Sequence, residues 1–382
     1  MLPAAPAAPS LLVSVGLHED LNQRLDEILE KAIRDSVAPG AALAIGRHGR
    51  VVHLRGYGRL HYDSVSQPAT DSTIWDLASL TKVIGTTTAA MILEEEGRLD
   101  IERPVRDYLP GFDAPDKANI TVRMLLVHNG GLEPFAPLWR NYNGRSQYLE
   151  QINTRPVDAA PGTRTMYSDW DFVLLGFIVE QITGLTLHDF LRQRVWLPLG
   201  MRDTGFHPGS ADIARIAPTE MDPARGGIVR GIVHDENAWA IGGVAGHAGL
   251  FSSARDLAVF ANFLMSGGTP LLSPATLARW TARQTRGSSR ALGWDTPSAP
   301  SSAGRYSSPR SFGHTGFTGT SIWTDPEKGL FIVLLTNRVN PTRVNQKHIA
   351  LRREVADAVQ QAVTDAPVID WEARMAADSI RR

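Results

Sequence analysis

The sequence contains no cysteine. Disulfides, thiolate nucleophiles and cysteine-bound metals are therefore excluded, and the chain fits an oxidising or a reducing compartment equally well. Neither charge is in excess: 39 Lys and Arg stand against 40 Asp and Glu, a formal net charge of −1. No basic run marks a nucleic-acid or membrane-surface patch, so neither partner is expected. No apolar stretch is long enough to span a bilayer. Lysine is scarce. Only five of the basic residues are Lys, at positions 31, 82, 117, 328 and 347, and the rest are Arg. Arg keeps its proton at ordinary pH, so a side chain that must exchange one has few places to be.

One of those five closes the stretch Ser79-Leu80-Thr81-Lys82, with a helix-compatible run behind it. Residues three apart share a helix face, so the Lys82 amine can lie beside the Ser79 hydroxyl. A nucleophile with a proton acceptor in reach is what an activated serine needs. A helix start at Ser79 would also offer free N–H groups to a developing oxyanion. Scattering 24 serines and five lysines over 382 residues yields about 0.3 such pairs by chance, so the match alone is weak. A helix-capping serine and a surface lysine explain it equally well on these residues alone.

The chain is long enough for one large domain or two ordinary ones, with 43% hydrophobic residues to fill a core. Its start is Ala/Pro-rich, with a short apolar patch at Leu11–Val15 and no positive n-region. Residues 1–18 are expected to be disordered or the remnant of a leader. An amphipathic helix follows over 19–35, with Leu21, Leu25, Ile28, Leu29 and Ile33 on one face. Strands are expected at Ala41–Ile45 and Val51–Tyr57 around a His48-Gly49 turn. The Ser79 helix runs to about Glu96 and stops at Gly97. Thr121 caps a short helix to Val127, and a polar, aromatic loop covers Glu133–Arg145. Helices are expected from Trp170 to the Gly184 stop and over Leu187–Trp196. Residues 201–250 carry little regular signal, which in a compact protein suggests a site or a lid. Ser252 or Ser253 caps a helix over 254–265, and Ser273-Pro274 opens another to about Arg283. Strands are expected at Leu292–Trp294, Ser311–His314, Thr320–Thr324 and Leu330–Thr336, then a helix over about 344–363 and a tail to 382.

Strands thus lie at both ends and helices between them. The expected fold is α+β: an antiparallel sheet flanked by N- and C-terminal helices, with an all-helical insertion. Residues 19–78 and 250–363 would form the sheet part, and 79–249 the mostly helical part with the site loops.

Three separated motifs now line up: Ser79-Leu80-Thr81-Lys82, Tyr167-Ser168-Asp169 and His314-Thr315-Gly316. Their order resembles that of the serine β-lactamase and penicillin-binding protein superfamily. Pro161-Gly162-Thr163, Leu174-Leu175-Gly176, Gly246-His247-Ala248-Gly249-Leu250-Phe251-Ser252 and the run from Phe312 to Gly319 strengthen the match. The resemblance is to the class C β-lactamase branch, which also holds D-alanyl-D-alanine carboxypeptidases and family VIII carboxylesterases, and it covers roughly 20–363.

The resemblance implies that Ser79 is the acylated nucleophile, that Lys82 accepts or shuttles its proton, and that Tyr167 serves as general base. It implies an oxyanion hole from the Ser79 and Phe317 backbone N–H groups, a substrate lying close to Gly316, and a carboxylate contact from the Thr315 hydroxyl. It implies no cofactor and no metal, and a small-molecule ester, peptidoglycan-peptide or β-lactam substrate. It places the protein in the bacterial periplasm or outside the cell, its leader absent, with the cytoplasm as the alternative. Oligomeric state is left open.

Two positions depart from the family pattern. His314 stands where Lys is commonest, and a neutral imidazole grips an anionic substrate more weakly. Asp169 stands where Asn is usual. A carboxylate only accepts hydrogen bonds, would repel a β-lactam carboxylate, and beside Lys82 would hold that amine charged. Tyr167 then becomes the better proton acceptor. Alternatively Asp169 points away and caps the 170–183 helix. His128 reads as a turn residue. His234, Asp235, Glu236 and His247 lack the His-Glu-x-x-His spacing and read as loop packing, and no Gly-x-Ser-x-Gly elbow is present. The expected function is a metal-free serine hydrolase, an esterase or DD-carboxypeptidase rather than an efficient β-lactamase. The alternative is a penicillin-sensing module that is acylated without turnover.

Overall fold

A computed structural model describes residues 10–380. Helix α1 (Leu21–Arg34) leads into the hairpin β1 (Gly40–Arg47) and β2 (Arg50–Gly58). The next long element starts beside Ser79. It passes through π-helical turns at Lys82–Thr87 and continues as α2 (Thr88–Glu95), ended by Gly97 at φ +69°. Helix α3 (Asp169–Thr183) stops at Gly184 in the left-handed conformation, as a C-terminal glycine permits. Helix α4 (Ala254–Met265) is capped by Ser253. Strands β3 (Phe312–Thr315), β4 (Ser321–Asp325) and β5 (Leu330–Thr336) return to the sheet, and α5 (His348–Gln361) covers it.

The five strands form one antiparallel sheet in the order β2-β1-β5-β4-β3. Both termini therefore meet in it, β1 pairing with β5. Side chains alternate across a strand, and the core divides accordingly. Ala41, Leu43 and Ile45 join Ile332 and Leu334 under α1 and α5. Ala42 and Ala44 join Val333 and Leu335 on the opposite face, in a core continuous with α2, α3 and α4. The sheet and the helical region thus share one apolar core.

Several expectations need correction. Residues 1–9 of the expected leader lie outside the described residues, but 10–18 are ordered. Leu12, Val15 and Leu17 enter the α1/α5 core, and the buried Arg47 donates to the Val15 and Gly16 carbonyls. The tail after 363 is docked. Asp365 pairs with Arg47, and Trp371–Ile380 is a helix whose Glu372 meets Arg353 at 3.1 Å. Leu292–Trp294 is not a strand, because Gly293 turns at φ +80° and packs against Thr87. Helices at Gly144–Thr154 and Glu236–Ile241 lie where the sequence showed loop or little pattern.

Candidate active site

Ser79 is delivered by a strained approach. Trp75-Asp76 pairs with Leu250–Ser252, and Leu77 N–H donates to the Leu250 carbonyl at 2.9 Å. Ala78 then adopts φ +47°, uncommon for a residue with a Cβ. The buried Asp76 holds this bend: one oxygen accepts from Ala78 N–H at 2.8 Å, the other from His234 N–H at 2.6 Å. Ser79 therefore sits at the mouth of its helix rather than inside it.

Lys82 lies one turn on and is fully buried. Its ammonium donates to Ser79 Oγ at 3.1 Å, Asp169 Oδ1 at 2.7 Å and the His247 carbonyl at 3.3 Å. Three donors meet three acceptors, so the charged form is satisfied. Burial alone would lower its pKa. Asp169 and then Tyr167 outweigh burial and hold it above the ordinary lysine value. Its surroundings thus favour the ammonium form.

Asp169 faces the site. The helix cap is the preceding residue, Ser168, whose Oγ accepts from Trp170 N–H at 3.2 Å and donates to the Glu133 carbonyl at 2.7 Å. The capping alternative for Asp169 is thereby overturned.

Tyr167 stands among cations and rings. Lys82 Nζ is 4.8 Å and the Arg290 guanidinium carbon 5.2 Å from its ring centre, with the His128 ring at 4.6 Å and the His314 ring at 6.0 Å. His128 is a turn residue, at φ +57°, as the sequence suggested. It is also the buried floor beneath Tyr167, bonded to Asp171 at 2.7 Å.

Strand β3 brings the third motif alongside. His314 Nδ1 lies 2.8 Å from the Thr315 carbonyl, which only accepts, so Nδ1 carries the proton. Burial, with Arg290 and Lys82 nearby, pushes His314 well below its ordinary pKa. It is a neutral ring and brings no charge for an anion. Gly316 is needed for close approach: a Cβ there would stand 2.1 Å from Thr320 Oγ1 and 2.4 Å from the Leu77 carbonyl. The segments carrying Ser79 and Phe317 are tied together, with Thr318 donating to the Asp76 carbonyl at 2.7 Å and Thr320 to that of Leu77 at 3.0 Å. The Ser79 and Phe317 N–H groups make no hydrogen bond within the described residues.

Two clefts meet at Ser79, Tyr167 and Phe317. One, of about 380 Å³, is also lined by Arg290, His314, Thr315 and Arg352. The other, of about 270 Å³, is also lined by Phe135, Asp169, Asp235 and Glu236. Arg290 escaped the sequence reading. Its guanidinium has no acidic partner among the described residues, and it supplies the positive charge that His314 lacks. No motif marks it, since it lies in an irregular stretch and is one arginine among many. His234, Asp235, Glu236 and His247 do not converge: His234 pairs with Glu220, His247 with Asp235 and Glu236 with Arg343.

Comparison with known proteins shows the family and the fold. Residues 25–357 match the family model described as Beta-lactamase. A protein of Salmonella schwarzengrund (strain CVM19633), assigned as a D-alanyl-D-alanine carboxypeptidase, is 34% identical over 374 residues, covering 87% of this chain and 86% of its own. Among solved structures, EstCE1, a hydrolase with promiscuous acyltransferase activity, superposes with a TM-score of 0.74 at 24% identity, covering 90% of this chain and 99% of its own. A class C beta lactamase from Rhodobacter sphaeroides does so with a TM-score of 0.70 at 21% identity, covering 89% and 99%.

Proposed function

The chain belongs to the Beta-lactamase family, and on that premise we propose that it is a serine hydrolase working through an acyl-enzyme on Ser79. The observation that carries the reading is the buried Lys82 ammonium, 3.1 Å from Ser79 Oγ and held charged by Asp169. Ser79 Oγ attacks the substrate carbonyl carbon, and its proton passes to the Tyr167 oxygen, which acts as a phenolate beside the Lys82 ammonium. The carbonyl oxygen becomes an oxyanion between the Ser79 and Phe317 N–H groups, each worth about 3–4 kcal/mol of barrier by analogy with other such donors. The intermediate collapses, and Tyr167 returns the proton to the departing alcohol or amine. Water then takes the leaving group's place, Tyr167 accepts its proton and passes it to the departing Ser79 Oγ, and the acid is released. Lys82 supports the negative charge held on the Tyr167 oxygen before the transfer and then that developing on Ser79 Oγ.

Substrate preference follows from charge. Arg290 and the Thr315 hydroxyl share a cleft with Ser79 and suit a carboxylate on the leaving group, as in a peptide ending in D-alanine. Asp169 offers no donor to an amide carbonyl on the acyl side. D-alanyl carboxypeptidase or esterase activity is therefore favoured over efficient β-lactam hydrolysis. The test is turnover of a D-Ala-D-Ala-terminated peptide and of short-chain aryl esters. Ser79→Ala should lower both by about a thousandfold or more while the far-ultraviolet spectrum is kept. Activity retained by that variant contradicts the reading.

A further inference from the structure

Arg352 is buried in α5, and its guanidinium has no carboxylate partner among the described residues. Its hydrogen bonds run from Nη2 to two backbone carbonyls, Gly316 and Thr320, each at 2.7 Å. Nε is buried with no acceptor. A cation buried without a counter-ion is unfavourable, and packing alone would be served as well by an apolar side chain. What the charge does here depends on the carbonyl it holds.

The Gly316 carbonyl and the Phe317 N–H belong to the same peptide unit. In a planar trans peptide those two groups point in opposite directions. A guanidinium that anchors the carbonyl on the α5 side turns the N–H away from α5. The Phe317 N–H is also one of the two donors left free at Ser79. A hydrogen bond from a cation to the carbonyl further polarises the amide and strengthens its N–H as a donor. The neighbouring unit is held likewise: Arg338 Nε donates to the Phe317 carbonyl at 2.8 Å, and its guanidinium lies 4.3 Å from the Phe317 ring centre.

We propose that Arg352 is a positioning residue for the oxyanion hole: by gripping the Gly316 carbonyl it aims and polarises the Phe317 N–H toward the substrate oxygen. This rests on the acyl-enzyme reading above. It also separates two roles, because Arg352 lines the same cleft as Arg290 and a direct grip on a substrate carboxylate is the competing explanation.

The experiment compares wild type, Arg352→Met, Arg352→Lys and Ser79→Ala on a neutral aryl ester, its thiono counterpart and a carboxylate-bearing ester. Both halves of the reaction pass through an oxyanion. Arg352→Met should therefore lower kcat on the neutral ester about ten- to a hundredfold with KM nearly unchanged, less than deletion of a donor itself. Sulfur accepts hydrogen bonds poorly, so the ratio of oxo to thiono rates should fall toward one in the variant. Arg352→Lys should fall between. Should Arg352→Met fail to fold, the oxo-to-thiono ratio of Arg352→Lys decides, and a ratio equal to that of wild type overturns the proposal. A loss confined to KM of the carboxylate-bearing ester overturns it too, as does an unchanged kcat. An inactive wild type that is not acylated contradicts the serine-hydrolase reading itself, and an active wild type with an unaffected Arg352→Met contradicts the role of Arg352 alone.

Discussion

Lys82 and Asp169 stand 87 positions apart in the chain and 2.7 Å apart in space. In the proposed mechanism that contact decides which residue acts as base. The carboxylate favours the charged form of Lys82, and under the proposal Tyr167 takes the proton of Ser79. Asp169→Asn removes the counter-charge while keeping the shape. Burial is then opposed by Tyr167 alone, and the pKa of the amine falls. The new amide can also donate to a side-chain carbonyl on the acyl side. The variant should lose about 3 kcal/mol of stability in urea, as when one member of a buried pair is removed. Penicillin should acylate it faster than wild type. An unchanged acylation rate, read by intact mass, would contradict the account of Asp169.

Arg290 has no acidic partner among the described residues and shares a cleft with Ser79 and Thr315. Arg290→Ala should raise KM for a carboxylate-bearing peptide about ten- to a hundredfold, the scale of a lost charged hydrogen bond. A neutral aryl ester should be hydrolysed within a fewfold of the wild-type rate. Equal losses on both substrates would move Arg290 from substrate binding to support of Tyr167.

Gly316 is fixed by space rather than by backbone angle. Gly316→Ala should press its Cβ against Thr320 Oγ1 and the Leu77 carbonyl, which belong to the two segments that carry the proposed oxyanion donors. The expected outcome is a loss of about 1–3 kcal/mol in stability, the usual overpacking range, with activity falling further than stability. A variant with wild-type kcat would show that the two segments can move apart without harm.

Stability should fall in mild acid. Burial lowers His53 to about 4, and burial, with Arg352 and Arg338, lowers His348 to about 3. Unfolded histidines take up protons near pH 6.5, whereas these two stay neutral in the fold. Their contribution is complete above pH 6.5 and is lost as pH drops from there toward 4. The urea midpoint should therefore decline between pH 7 and pH 5, and His348→Gln should flatten that decline. A midpoint that stays level in wild type contradicts the burial of these rings as neutral groups.

Local signals account for what the sequence disclosed. Thr121 and Ser273 cap their helices as read, and of Ser252 and Ser253 it is Ser253 that caps, because a cap is a bond between near neighbours. Leu330–Thr336 read as central because both of its faces are apolar, and it lies between β1 and β4. Ser79, Lys82, Tyr167 and the His314–Phe317 run are brought together around one point. Residues that act through distant contacts left no trace. Arg290 and Arg352 look like any other arginine until the fold shows that neither has an acidic partner among the described residues. The helix Glu236–Ile241 is too short for a periodic pattern, and its cap, Asp235, was read as loop packing. Residues 10–18 read as disordered or a leader remnant, and 364–382 as a tail, because the partners that hold them, Arg47 among them, lie far along the chain.

Intact-protein mass followed over time after adding a penicillin, with Ser79→Ala alongside, tests the central claim most directly. The account predicts an adduct on the wild type, clearing slowly and absent from the variant. An adduct of the same size on Ser79→Ala would contradict Ser79 as nucleophile. Rapid clearing with accumulation of the opened drug would contradict the reading of Asp169 as a barrier to efficient β-lactam hydrolysis.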